Sequence, residues 1–219
     1  MPTLAILPVK RFAIAKHRLA DELEAGLRRA LAAAMFSDVL RALRRAKAVE
    51  EIVVVSSDPE AQRIAGSYGT MVLDDEERGH NVAAAIGIRA ALAHRFDRAL
   101  LVPGDCPLAD PWELGELIAR PAGPRSALIV PDRHGTGTNA LLLTPPNSLA
   151  PSFGPGSCRR HATNAESRGT DHEVVRLPSL AFDVDTSDDL VALQTALAAA
   201  YGRATSTRGM LNQLIRSRA

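Results

Sequence analysis

The feature that most constrains this chain is an alternation. Short, wholly apolar runs are separated by longer stretches whose apolar residues recur every third or fourth position. The runs Thr3–Leu7, Glu51–Ser56, Thr70–Leu73, Ala99–Val102, Ala127–Val130, Ala140–Leu143, Glu173–Leu177 and Ala181–Val184 read as strands, most of them apolar on both faces. Between the early ones, Gly26–Lys47 carries Leu27, Leu31, Met35, Val39 and Leu43 at every fourth position, which predicts a helix. Further helices are predicted over Asn81–Arg95, from Asp110 onward, around Arg159–His161, and over Thr186–Ala200, where Thr186 and Asp189 form a cap pattern. Strand–helix–strand repetition implies a mostly parallel α/β sheet with right-handed crossovers and helices on both faces. After residue 127 the strands crowd together, which predicts an antiparallel portion. Sheets of this kind bind ligands beyond the carboxyl ends of their strands.

A length of 219 residues fits one domain, here expected over 1–201, followed by a basic tail at 202–219 that includes Arg203, Arg208, Arg216 and Arg218. That tail reads as loosely attached, with an interface helix as the alternative. A formal net charge of +1 argues against nucleic acid as the main partner. Two cysteines, Cys106 and Cys158, make no disulfide framework and point to a reducing compartment, so a cytoplasmic location is expected. No apolar run is long enough to span a membrane, and the first strand lacks the basic lead of a signal peptide.

Past the first strand, Lys10, Arg11, Lys16 and Arg18 place four cations within nine residues, suited to a polyphosphate. A solvated basic loop is the plain alternative. Neither GxxxxGK[ST] nor an early GxGxxG occurs, which disfavours P-loop and dinucleotide chemistry. The run Ala99–Val102 leads to Pro103-Gly104-Asp105, so Asp105 sits at a strand tip where a magnesium ligand is expected, rather than a helix cap, for which Asp110 is better placed. Asp183 and Asp185 alternate on one expected strand face, and two like charges there call for a counter-ion. Asp188 and Asp189 are assigned to the helix dipole. Two glycine-bearing segments, 132–139 and 153–157, read either as turns or together as a second anion site, with Ser157 opening a helix. His161 is expected to make a local contact rather than act as a general base, and Cys106 to be a packed thiol. Cations, metal-binding carboxylates and a second anion site together fit nucleotidyl transfer.

The segments PVKRFAIAKHRLA (8–20), GHNVAAAI (79–86), VPGDCPL (102–108), GTGTNALLL (135–143), FGPGSCRRH (153–161) and FDVDTSDDL (182–190) resemble, in this order, the CofC/FbiD-type guanylyltransferases of coenzyme F420 biosynthesis. The resemblance implies a Rossmann-like nucleotide-diphospho-sugar transferase fold of the GT-A-like kind. It implies GTP as substrate, with Lys10, Lys16 and Arg18 at the triphosphate and Gly79 and Asn81 near the guanine. It implies Mg2+, with Mn2+ as an alternative, on Asp105, Asp183 and Asp185. It also implies binding of a small phosphorylated carboxylic acid at Thr138, Gly154 and Ser157. Alanine and arginine richness tilts the acceptor toward 3-phospho-D-glycerate or phosphoenolpyruvate over 2-phospho-L-lactate. A homodimer is expected. The alternatives are a molybdopterin or sugar-phosphate nucleotidyltransferase, whose glycine-rich first loop is missing here, and a non-catalytic GTP-binding sensor.

Overall fold

A computed structural model describes residues 1–75, 77–200 and 202–218. Seven strands, β1 (Thr3–Pro8), β2 (Glu51–Val55), β3 (Met71–Leu73), β4 (Arg98–Leu101), β5 (Ser126–Pro131), β6 (Thr138–Thr144) and β7 (Asp171–Val174), form one sheet in the order β3-β2-β1-β4-β6-β5-β7. The pairs β1/β2, β2/β3, β1/β4 and β5/β7 are parallel, and β6 runs antiparallel to both β4 and β5. The mostly parallel sheet with a late antiparallel element therefore forms as the alternation predicts.

The apolar runs are buried on both faces because helices cover both. Ala5 and Leu7 point to one side, against α1 (Ala25–Arg45), α2 (Pro59–Ser67) and α4 (Pro111–Ala119). Leu4 and Ile6 point to the other, against α3 (His80–Ala93) and α5 (Ser157–Ser167). Gly87 of α3 permits the closest of these contacts: a Cβ built there lies 2.2 Å from Ile6 Cγ2. Asp110 caps α4 by accepting from the amides of Trp112 and Glu113, so Asp105 is left for another role. The expected cap of α6 (Ser187–Ala199) is a reciprocal box between Thr186 and Asp189.

Two expectations are corrected. Residues 181–184 form no strand among the described residues; a 3-10 turn at Pro178–Leu180 leads into an irregular segment. The carbonyls where the turn passes into it are taken from outside any ladder: the Arg133 amide donates to the Ala181 carbonyl, and the Asn139 amide group donates to the Leu180 carbonyl. The basic tail is not loose either. It forms α7 (Thr205–Arg218), docked with α6 and the first half of α1 in a third apolar cluster containing Leu31, Met35, Leu193, Leu197 and Leu211. Buried Asp38 of α1 accepts from the amides of Ser206 and Thr207 and from the Thr207 hydroxyl, capping a helix far along the chain. The expected Arg216 and Arg218 side chains lie outside the described residues.

Candidate active site

Because β6 runs opposite to β1, β4 and β5, its first residue meets their carboxyl ends at one edge of the sheet. The loop after β1, the β4 tip, the 132–137 turn and the 153–157 loop converge there on a cleft of about 800 Å3. Lys10, Lys16, Arg18, Asp105, Thr138, Gly154, Ser157, Asp183 and Asp185 all line it. Of the residues that the family resemblance assigns to the site, Gly79 and Asn81 do not line the cleft, although His80 between them does.

Lys16 is the centre of the anionic wall. Its Nζ lies 2.5 Å from Asp105 Oδ2 and 3.0 Å from Asp185 Oδ1, with the side chain 6% exposed. Burial works against the charge, but the two carboxylates outweigh it and hold the ammonium well above the ordinary lysine range. Its backbone is left-handed, with φ 56° and ψ 33°. A non-glycine residue there costs on the order of 1–2 kcal/mol, and the double ion pair pins it in place. Sequence places Lys16 on a triphosphate; in the structure it stands between carboxylates, while Lys10 and Arg18 remain exposed at the cleft. Arg11 points away, paired with Glu77.

Asp183 receives a hydrogen bond of 2.9 Å from the Asn139 side chain. Burial, and then the charge of Asp105, push its carboxyl up to about 6 despite that bond. Asp105 Oδ1 is buried without a hydrogen-bond partner. Among the described residues, no group of three or more His, Cys, Asp or Glu is close enough to hold a metal unaided. The donor set nonetheless fits a hard divalent cation: an unsatisfied carboxylate oxygen, a second carboxylate held against its preference for ionisation, and a third at the rim. Magnesium takes few protein carboxylates and completes its shell with phosphate oxygens and water. Cys106 is the packed thiol expected, fully buried, with burial and then Asp105 raising its pKa.

The opposite wall is built by side chains that fix loops. Asp132 accepts from the amides of Thr136 and Gly137, closing the turn before β6. Asn81 does not face the cleft; its amide oxygen accepts from the Phe153 amide at 2.7 Å and its nitrogen donates to the Phe153 carbonyl at 3.2 Å. The Phe153 ring packs edge-on between His80 and His161, each at 5.1 Å. Both histidines are depressed, His80 by burial and then Lys10, His161 by burial and then Arg160 to about 4. Asp132 and Asn139 bound the segment 132–139 singled out from sequence, but their own roles were not read there. The available signal for Asn139 was an amide directly before the apolar run Ala140–Leu143, and for Asp132 an aspartate four and five residues ahead of a Thr-Gly pair.

Comparison with other proteins now adds a family. The profile described as "Guanylyl transferase CofC like" matches residues 3–215. A phosphoenolpyruvate guanylyltransferase of Conexibacter woesei is 51% identical over 219 residues, covering 99% of this chain and 98% of that one. A 3-phospho-D-glycerate guanylyltransferase of Colwellia psychrerythraea is 34% identical, covering 88% and 91%, and a 2-phospho-L-lactate guanylyltransferase of Methanothermobacter thermautotrophicus is 33% identical, covering 98% and 92%. In fold, a nucleotidyl transferase from M. thermautotrophicus superposes with a TM-score of 0.68 at 15% identity, covering 90% of this chain and 98% of that one. Sequence motifs, the sheet order and the full-length match lead to one conclusion: the chain belongs to the CofC-like guanylyl transferase family.

Proposed function

We propose that this chain transfers GMP from GTP to the phosphate of a small phosphorylated carboxylic acid, with phosphoenolpyruvate the first choice and 3-phospho-D-glycerate next, in coenzyme F420 biosynthesis. The observation that carries the reading is the division of one cleft into two walls. Three carboxylates, Asp105 beyond β4 and Asp183 and Asp185 on the irregular segment before α6, face a loop of glycine and hydroxyl groups, with Lys10 and Arg18 at the opening. The acceptor preference follows the names of relatives, above all the one that is 51% identical.

An acceptor phosphate has a second pKa of about 6, so it is largely ionised at neutral pH and needs no general base. One of its oxygens attacks the α-phosphorus of GTP. The bond from that phosphorus to the bridging oxygen breaks, and pyrophosphate leaves with the electron pair. Asp105, Asp183 and Asp185 would hold magnesium, or manganese in its place, which neutralises phosphate charge when bound. Lys10 and Arg18 attract the triphosphate, and Lys16 is close enough to exchange a carboxylate for a phosphate oxygen. Thr138, Gly154 and Ser157 orient the acceptor, and alignment of two anions is the larger part of the catalysis. No helix among the described residues is long and apolar enough to cross a membrane. A cytoplasmic homodimer completes the proposal.

Pyrophosphate release from GTP and magnesium, measured in parallel with phosphoenolpyruvate, 3-phospho-D-glycerate and 2-phospho-L-lactate, tests this. Release that depends on one acid supports the reading and names the acceptor. A folded protein that binds GTP but releases nothing with any acid overturns it in favour of a sensor.

A further inference from the structure

The hydrogen bonds behind the acceptor wall fix a proton position. Thr138 opens β6 at the cleft, and its Oγ1 lies 3.0 Å from Nδ1 of His161 in α5. The His161 ring is fully buried, and its Nε2 lies 3.0 Å from the backbone nitrogen of Ser152. A backbone amide can only donate, so Nε2 must present its lone pair. Burial, and then the Arg160 charge, hold the ring's pKa at about 4, so at neutral pH it has one N–H, which falls on Nδ1. That N–H donates to Thr138 Oγ1. The threonine hydroxyl therefore cannot donate back, and among the described residues no other group accepts its hydrogen. The direction left to it is the cleft. Edge-on packing against Phe153, whose backbone is clasped by Asn81, keeps the imidazole in this plane.

We infer that His161 is a positioning residue, whose Nδ1–H bond turns the Thr138 hydroxyl into an obligate hydrogen-bond donor toward an anionic acceptor. The inference deepens the proposed function and rests on its reading of the acceptor wall. It also explains the Ser152 amide, which selects the tautomer by occupying Nε2. A site so arranged favours a carboxylate or phosphate oxygen over a group that must itself donate, because the hydroxyl's hydrogen is left for the cleft while one of its two lone pairs is already taken by Nδ1–H.

Nitrogen NMR of the histidine-labelled wild-type protein reads the tautomer without reference to catalysis. The expected signals are a protonated Nδ1 and an unprotonated Nε2 at neutral pH; the opposite pattern overturns the inference. Kinetics then test the consequence. His161→Leu is expected to raise the acceptor KM about tenfold or more with the GTP KM held within about twofold. His161→Asn, whose Nδ2 takes the place of Nδ1 as donor, recovers most of that loss. In a Thr138→Val background His161→Leu adds nothing further to the acceptor KM, since its route to the substrate is gone. An equal penalty with and without the threonine hydroxyl overturns the positioning role and leaves a merely structural one. If the wild type makes no acceptor-dependent pyrophosphate, the functional proposal fails, while the NMR result still decides the tautomer.

Discussion

Replacing Lys16 by Met tests whether its ammonium is the internal counter-ion of the anionic wall. The change keeps the length of the side chain and removes the charge. It leaves Asp105, whose Oδ1 already has no partner, facing Asp185 without the cation that now lies 2.5 and 3.0 Å away. Removing one member of a buried pair costs about 3–5 kcal/mol. Here the surviving side chains are 28% and 52% exposed, so water recovers part of the loss. The discounted expectation is about 2–3 kcal/mol. For a domain of this size that lowers Tm by about 4–12 °C, read by thermal unfolding in EDTA. A divalent cation supplies the missing charge, so magnesium is expected to raise the Tm of Lys16→Met more than that of wild type, in which the lysine competes for the same carboxylates. GTP affinity should move the other way, falling because the triphosphate loses a cation. A Lys16→Met protein that melts in EDTA together with wild type refutes the counter-ion account. A magnesium response no larger than that of wild type refutes the competition.

Three other outcomes follow from the same geometry. Asp105→Ala is expected to abolish turnover while preserving the fold, since Lys16 loses one carboxylate partner but keeps Asp185 and no core contact is lost; wild-type activity and metal requirement in the variant would contradict it. Asp183 is held near 6 in the folded protein, above its ordinary value of 3.8, so the folded state binds the extra proton. Its contribution to stability is full below about 4 and lost as pH rises through about 6. Asp183→Asn without metal should therefore be more stable than wild type at neutral pH, with the advantage shrinking as pH falls through that window; a pH-independent difference argues against the buried charge. Gly87→Ala places a Cβ 2.2 Å from Ile6 Cγ2 at the packing of α3 on β1. It should cost about 1–3 kcal/mol in urea unfolding, and an unchanged midpoint would mean the contact relaxes freely.

How much of this was legible beforehand depended on whether a residue's partner was local. The strands β1, β4 and β6 are built around short apolar runs, and they were legible because both of their faces are buried. Asp105 was readable because a Pro-Gly-Asp sequence after such a run leaves its carboxylate at the tip. The Thr186 and Asp189 box was readable because its bonds span three residues. The segment 181–184 misled because its alternating pattern imitates a strand, whereas the Leu180 and Ala181 carbonyls where it begins are taken by Asn139 and Arg133, which periodicity does not reveal. Asp38 sits in the middle of α1 with nothing nearby to mark it as the cap of a helix that starts at Thr205. Asn81 lies in the first turn of a helix and invites a ligand role, yet its amide meets the Phe153 backbone, 72 positions away. Long-range partners of polar side chains were the missing information in each case.

The most direct test of the central claim is phosphorus NMR of the products formed from GTP, magnesium and phosphoenolpyruvate. The account predicts a pair of mutually coupled signals from a new diphosphate linkage between GMP and the acid, growing in step with pyrophosphate. GDP with inorganic phosphate, or pyrophosphate formed equally well without the acid, would contradict it.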